Sequence, residues 1–388
     1  MLLKKPLSIV LAVAGVVLHA NPTNAAALRH MIEESSTESR NDSTNAVLDT
    51  VVSLMESSSS MSISPKDCDH ATTSAELDAL ISSNAGGEVR LCPGKVDFSS
   101  EIELACGSGG IIISCAGPDG SCILDGSGIT RHFFSDSSAV SYVFSGLSFV
   151  NGFANDSSTN GQNGGSIRFS AGPTSTFDRC LFYNNRANSS SDLVVSIIRM
   201  LPIYCSYPVC FILTSFIILL SHQAGGAISV SNGKTVLNKC IVLDNVAETT
   251  ATGSTAASLG GAVRVFKGDL TVSDSIFKKN KALQANLDAR DGVGGGGAIS
   301  VESSSSSNEL IVLSSVFELN EASNAGGAAA TNAKGTGSLK VNWVNNKELL
   351  LGNTAGEVCD GVVRSSIGGI GKCASVADNF SIDLDAIE

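Results

Sequence analysis

Gly260-Gly-Ala-Val-Arg-Val-Phe-Lys-Gly-Asp-Leu-Thr-Val-Ser-Asp-Ser-Ile-Phe-Lys-Lys-Asn-Lys-Ala282 is one full unit of a pattern that repeats along the chain. Apolar and polar residues alternate within it, the period of a half-buried strand. Both of its ends recur. The glycine pair returns at Gly164-Gly165, Gly225-Gly226, Gly296-Gly297 and Gly326-Gly327. The closing block returns as Phe182-Tyr-Asn-Asn185-Arg-Ala187, Val242-Leu-Asp-Asn245-Val-Ala247 and Phe317-Glu-Leu-Asn320-Glu-Ala322, with Leu350-Leu-Gly-Asn353-Thr-Ala355 as a decayed successor. From glycine pair to closing alanine the units run 24, 23, 23 and 27 residues, near constant and long enough for three short strands and three corners.

Three inward columns follow. After the glycines come Ile167-Arg-Phe169, Ile228-Ser-Val230, Val263-Arg-Val265 and Ile299-Ser-Val301. A second strand aligns Phe177, Leu237, Val272 and Val312, and a third aligns Phe182, Val242, Phe277 and Phe317. Cys180, Cys240, Ser275 and Ser315 stand two positions before the third column, on its face. Stacked coils would set such residues about 4.8 Å apart. Asn185, Asn245, Asn280 and Asn320 then form a structural ladder, since asparagine tolerates left-handed backbone and its amide both donates and accepts. Glycine at the other corner would permit positive φ. Antiparallel hairpins are the alternative, but the units lack a recurring two-residue Asn-Gly turn. Leu77, Leu80 and Ile81 share one face of a short helix with Ser74 as N-cap, suited to a lid on the first coil. The expected fold is all-β: a single-stranded right-handed parallel β-helix, a solenoid with an N-terminal capping helix.

The G-G-A-[I/V] and F-x-x-N blocks resemble the chlamydial polymorphic membrane protein repeats. Val89-Arg-Leu-Cys-Pro-Gly94, Ile123-Leu-Asp-Gly126 and Phe144-Ser-Gly-Leu-Ser-Phe-Val-Asn-Gly152 resemble the opening coils of the pectin-lyase-like superfamily of right-handed parallel β-helices. The resemblance covers roughly residues 85–375 and implies the fold, while function varies widely on this scaffold. It also defines what an enzyme would need: converging carboxylates for calcium with an Arg or Lys base in a lyase, or neighbouring acids in a hydrolase. The short motifs of those enzymes (N-T-D, D-D, G-H-G, R-I-K) are absent from the chain.

Residues 1–27 read as a secretory signal peptide. Lys4 and Lys5 precede an apolar stretch from Leu7 to Leu18 that is too short to span a bilayer, and Ala25 to Ala27 suit a peptidase. Residues 28–66 form a Ser-rich disordered leader, 67–375 the β-helix, and 376–388 a C-terminal tail. The expected location is secreted, extracellular or cell-surface. Export permits disulfides among the 11 cysteines. Cys115 and Cys122 flank a Gly-Pro-Asp-Gly turn, and Cys359 and Cys373 lie close together near the end; both pairs are bridge candidates. Asn41, Asn155, Asn188 and Asn379 begin N-x-S/T sequons, so a eukaryotic host would make a glycoprotein. A net charge of −12 excludes nucleic acid as a partner, because no basic stripe is available for phosphates.

One segment breaks the period. Between Ala187 and Gly225 lie 37 residues, against 9, 12, 13 and 3 at corresponding places. This hydrophobic insertion at about 190–222 contains Leu201 to Leu220, 20 residues without a charge. Three readings stand: a retained intron, since removing about 25 residues restores the spacing, a hydrophobic docking or membrane-surface loop, or a transmembrane helix.

No catalytic residue, cofactor or metal site is expected. His19, His30, His70, His132 and His222 lie outside the regular coil strands, and no C-x-x-C pair of zinc spacing is present. Arg168 and Arg264 occupy one outward position on alternate coils, where they could grip a uronic acid or sulfated glycan, or simply discourage strand aggregation. Leu181, Ile241, Ile276 and Val316 form an aliphatic row: facing out, it would be an apolar ladder suited to a partner or a covering loop, and at the start of a corner it would complete the core, which is the preferred reading. The expected function is adhesion, matrix structure or glycan binding without catalysis, with polysaccharide or cell-surface components as partners. The alternative is a polysaccharide lyase or glycoside hydrolase acting on acidic polysaccharide.

Overall fold

A computed structural model of the chain describes residues 67–104, 109–138, 140–155, 162–189, 194–203, 210–219, 223–249, 258–284, 295–303, 307–323, 326–333, 338–348, 353–355, 362–366, 372–374 and 380–385. The expected signal and leader, the sequons at Asn41 and Asn379, and Cys359 with its expected bridge to Cys373 lie outside the described residues.

The architecture is a stack of parallel strands. One coil runs Ile228–Ser231, Lys234–Asn238, Ile241–Leu243, Val246–Thr249 and Ser258–Gly260, and each strand pairs in parallel with its equivalent on a neighbouring coil. We number the resulting sheets by their order round the coil. Sheet I contains Lys234–Asn238, sheet II Ile241–Leu243, sheet III Val246–Thr249, sheet IV Ser258–Gly260 and sheet V Ile228–Ser231. A coil therefore carries five short strands, not three. The two extra ones flank the long bend before the glycine pair, where the sequence has no period-two signal.

Two corners, one on each side of sheet II, explain the repeat. Between sheets II and III, Asn184, Asp244, Lys279 and Leu319 adopt positive φ of 52–55°. The ladder asparagines follow immediately and are fully buried. The left-handed residue is thus the one before each ladder asparagine, and even Leu319 is held there by the coils above and below. Between sheets I and II the left-handed positions are Arg179, Lys239, Asp274, Ser314 and Asn345.

Freed from shaping the backbone, the asparagines pair along the stack. Asn280 Nδ2 donates to Asn320 Oδ1 at 2.9 Å and to the carbonyl of Val242 at 2.9 Å. Asn280 Oδ1 accepts from the Asn245 amide at 3.2 Å and from Asn245 Nδ2 at 2.9 Å. Asn185 above and Asn353 below extend the same pattern, so every polar atom of the central side chains is satisfied in the dry interior.

The paired glycines act differently from expectation. None of Gly164, Gly165, Gly225, Gly226, Gly260, Gly261, Gly296 or Gly297 has positive φ. Their role is close approach. A Cβ on Gly226 would sit 1.9 Å from the carbonyl oxygen of Gly261, and one on Gly261 would sit 1.8 Å from that of Gly297. Backbone packs on backbone here, leaving no room for a methyl group.

Among the described residues the main core cluster runs from Leu77 to Trp343, and Ala187, Ala247 and Ala282 form a small separate one. Aromatic rings stack at the rung spacing: Phe149 on Phe182 at 4.8 Å, Phe144 on Phe177 at 5.1 Å, and Phe277 on Phe317 at 5.0 Å. At the beginning, helix α1 (Ser74–Ser83) buries Leu77 and Ile81 in this cluster. Its N-cap is Thr73, one residue earlier than expected, because Glu76 closes a capping box with Thr73. At the other end Phe380–Asp385 pairs antiparallel with Ser338–Val344, and Lys372–Ala374 with Val362–Ser366. Part of the expected tail thus belongs to sheet I.

The hydrophobic insertion forms an antiparallel pair, Val194–Ile203 with Cys210–Leu219. The described residues of the stretch Leu201 to Leu220 are accordingly strand, and no helix among the described residues is long and apolar enough to cross a membrane. The coils on either side stay in register. Asn185 bonds Asn245 across 60 residues, whereas Asn245 bonds Asn280 across 35; the surplus, 60 − 35 = 25, leaves the stack between sheets III and IV.

One histidine enters the core. His132 is fully buried between the rings of Phe98 and Phe149, with Nδ1 3.0 Å from Ser166 Oγ. Burial pushes its pKa down from 6.5 to about 4.

Two outcomes test this account. Asn280→Ala should cost about 3 kcal/mol or more in denaturant unfolding, since it strands the Asn245 donors and the Val242 carbonyl in the interior; a loss under 1 kcal/mol would contradict the ladder. His132 is depressed in the folded state, so the stability tied to its neutrality is complete above pH 6.5 and is lost as pH falls towards 4. That loss amounts to about 3 kcal/mol. Replacing His132 by Gln should flatten unfolding free energy against pH across this window.

Candidate functional site

The arginine pair is the first candidate. The sheet register places Arg168 beside Ser229, Ser229 beside Arg264 and Arg264 beside Ser300, so the arginines do alternate along one column. They are not an open track. Arg168 is 6% exposed and Arg264 0%, because sheet V is covered on both faces: Ile228–Ser231 and Ile299–Ser303 are buried at every position. Each guanidinium instead lies over an aromatic ring, Arg168 over Phe134 at 5.2 Å and Arg264 over Phe266 at 5.1 Å. Desolvation lowers the Arg264 pKa to about 10, opposed by the charge of Glu302. The alternation of Arg with Ser along the sequence gave no sign of this covering.

The aliphatic row is the second candidate, and its placement also differs from expectation. Sheet II strands alternate half-buried, buried, half-buried. Leu181, Ile241 and Ile276 therefore face outward, since the inward place is filled by Phe182, Val242 and Phe277.

A charged network at the surface was not anticipated. It lies at the corner between sheets I and II. The Cys115–Cys122 disulfide, Cα–Cα 5.6 Å, closes a loop that presents Asp119. Arg179, from a later coil, places Nη1 3.3 Å from Asp119 Oδ1 and donates through Nε to Asp178 Oδ2 at 2.9 Å. Its other arm donates to Ser145 Oγ at 3.1 Å. Asp178 also accepts from Asn238 Nδ2 at 2.7 Å, and Asn238 Oδ1 accepts from Ser273 Oγ at 2.9 Å. Burial raises the Asp119 pKa above the ordinary carboxylate value; Arg179 opposes the rise and Asp178 adds to it. The only sequence signal was the Gly-Pro-Asp-Gly turn between two cysteines.

Several other acids are likewise paired with bases. Lys95 bridges Asp97 and Asp125, each at 2.8 Å. Lys278 meets Glu318 at 3.1 Å, Lys281 meets Glu321 at 3.0 Å, and Arg186 meets Glu248. In Lys278–Glu318 and Lys281–Glu321 the acid sits directly beside the base in the register of adjacent coils, whereas Glu248 stands diagonally from Arg186, opposite Asn188.

The column of Cys180, Cys240, Ser275 and Ser315 forms a second buried ladder. Ser275 Oγ accepts from the Cys240 amide at 3.0 Å, Ser315 Oγ from the Ser275 amide at 3.2 Å, and Asn346 Oδ1 from the Ser315 amide at 2.8 Å. Cys180 and Cys240 are free thiols that donate to the carbonyls of Phe144 and Phe177. Burial pushes Cys240 up to about 12 and Cys180 upward as well, so both stay protonated and unreactive.

No family model, curated protein or solved structure matches this chain.

The Asp119 cluster makes a pH prediction. With its folded pKa raised, Asp119 contributes stability that is present below the ordinary carboxylate range and is lost as pH rises through the folded value. Arg179→Ala removes the opposing cation, so a carboxyl-carbon NMR titration should find the Asp119 midpoint shifted further upward. An unchanged midpoint would mean that the guanidinium does not act on it.

Proposed function

We propose that this chain is a secreted, right-handed parallel β-helix of the pectin-lyase-like kind, lidded by α1, that acts without catalysis as an extracellular scaffold for adhesion, matrix structure or glycan binding. The observation that carries this reading is the pairing of outward acids with bases on neighbouring coils, at Arg186–Glu248, Lys278–Glu318 and Lys281–Glu321. A hydrolase or lyase needs carboxylates free to move a proton or hold calcium. Carboxylates neutralised rung by rung instead fix adjacent coils in register, each exposed pair contributing up to about 1 kcal/mol. Two disulfides in the first coils, Cys68–Cys92 and Cys115–Cys122, accord with an oxidising destination. A rod of this kind presents long, regular faces to a polymer or a cell surface.

Incubation with pectate, alginate and a sulfated polysaccharide, with and without calcium, provides the test. Retention on one of these polymers or on a glycan array, with polymer length unchanged, is the expected result. Shortened chains or unsaturated ends would overturn the non-catalytic reading in favour of a lyase or hydrolase, and Asp119→Asn would then be the first variant to examine.

A further inference from the structure

Where the chain enters the first coil, three potential metal ligands converge. His70 Nε2 lies 3.4 Å from Cys92 Sγ, and the donor atoms of Cys68, His70 and Cys92 all fall within 4.8 Å of one another. His70 is exposed, and Cys68 and Cys92 are half-buried, so reagents can reach the group. Cys68 and Cys92 form a disulfide, which occupies both sulfurs. The arrangement does not depend on that bond alone. The Asp69 amide donates to the carbonyl of Arg90 at 2.7 Å, and the Cys92 amide donates to the carbonyl of Asp69 at 2.9 Å. The Arg90 amide donates to Asp69 Oδ2 at 3.0 Å. Residues 68–70 are thereby laid beside Leu91 as a short parallel bridge. Opening the disulfide would leave the three ligands on a backbone still held together.

We propose that Cys68, His70 and Cys92 form a redox-gated site for one soft or borderline divalent cation such as Zn²⁺. A dithiol reduces the Cys68–Cys92 bond: two electrons break the S–S bond, each sulfur takes a proton from the dithiol, and the dithiol leaves as its own disulfide. The cation then displaces the two thiol protons and is held by two thiolates and the His70 imidazole, with water in the fourth place. A tetrahedral zinc with sulfur at about 2.3 Å and nitrogen at about 2.0 Å sets its ligand atoms about 3.5–3.8 Å apart. The His70–Cys92 distance already matches this, and the sulfurs need only separate by about 2 Å once the bond opens. In the oxidised chain neither sulfur can be a thiolate, so the disulfide excludes the cation. The metal would take over the covalent link between the entry segment and the first strand.

Titrating the full-length chain with Co²⁺, after phosphine reduction and without oxygen, reads the site directly. The expected result is one equivalent of tetrahedral cobalt with thiolate charge-transfer absorption that is absent in Cys92→Ser and displaced by Zn²⁺. The oxidised chain should lack this increment. Because His70 is exposed, His70→Ala should fold normally and still weaken cobalt binding about tenfold or more, the least expected for a lost ligand. Equal cobalt absorption in the reduced wild type and Cys92→Ser, or unchanged affinity in His70→Ala, would overturn the proposal.

Discussion

The stack depends on the vertical pairing of buried asparagine amides. An amide side chain in an apolar interior is tolerable only when its two donors and its acceptor are all used. Here that condition is met only if the next coil supplies an identical amide one rung away, so the ladder fixes register as well as adding stability. A slip of one residue would turn every ladder amide outward and drive a charged or bulky neighbour, Lys279 or Leu319, into the core. The stacked phenylalanines tolerate such shifts less strictly, because dispersion has little direction. Hydrophobic burial supplies the drive towards a coil, and the amides select which coil.

Much of this was legible beforehand because repetition converts a one-dimensional period into a three-dimensional column. Asn185, Asn245, Asn280 and Asn320 could be aligned by counting, and so could Phe182, Val242, Phe277 and Phe317. What counting missed has a physical reason in each case. The strands of sheets III and IV are two to four residues long and flank variable bends, so alternation never becomes visible. The glycine pairs were read through the commoner use of glycine, positive φ, whereas steric contact with the next coil governs here. Arg168 and Arg264 were placed at the correct register but on the wrong side of the water boundary, since what covers a sheet comes from residues distant in sequence. The aliphatic row of sheet II erred in the opposite sense.

The charged corner around Asp119 and Arg179 was illegible for a related reason. Its members come from a disulfide-closed loop, a left-handed corner and four successive strands of sheet I, and only Arg179 and Asp178 are adjacent in sequence. The second buried ladder shows an intermediate case. Its column was visible, but not its role, because Cys, Ser and Asn look unlike one another until each is seen facing the same backbone groups.

The hairpin between sheets III and IV carries a consequence for how such a rod can change. Twenty-five additional residues leave and return without disturbing the coils on either side. Closing a longer excursion costs free energy only logarithmically in its length, so this bend is a port at which foreign peptide can be gained or shed while the trunk persists. Diversity in what the molecule displays can therefore accumulate at one longitude of the cylinder, independently of the rules that hold the cylinder together.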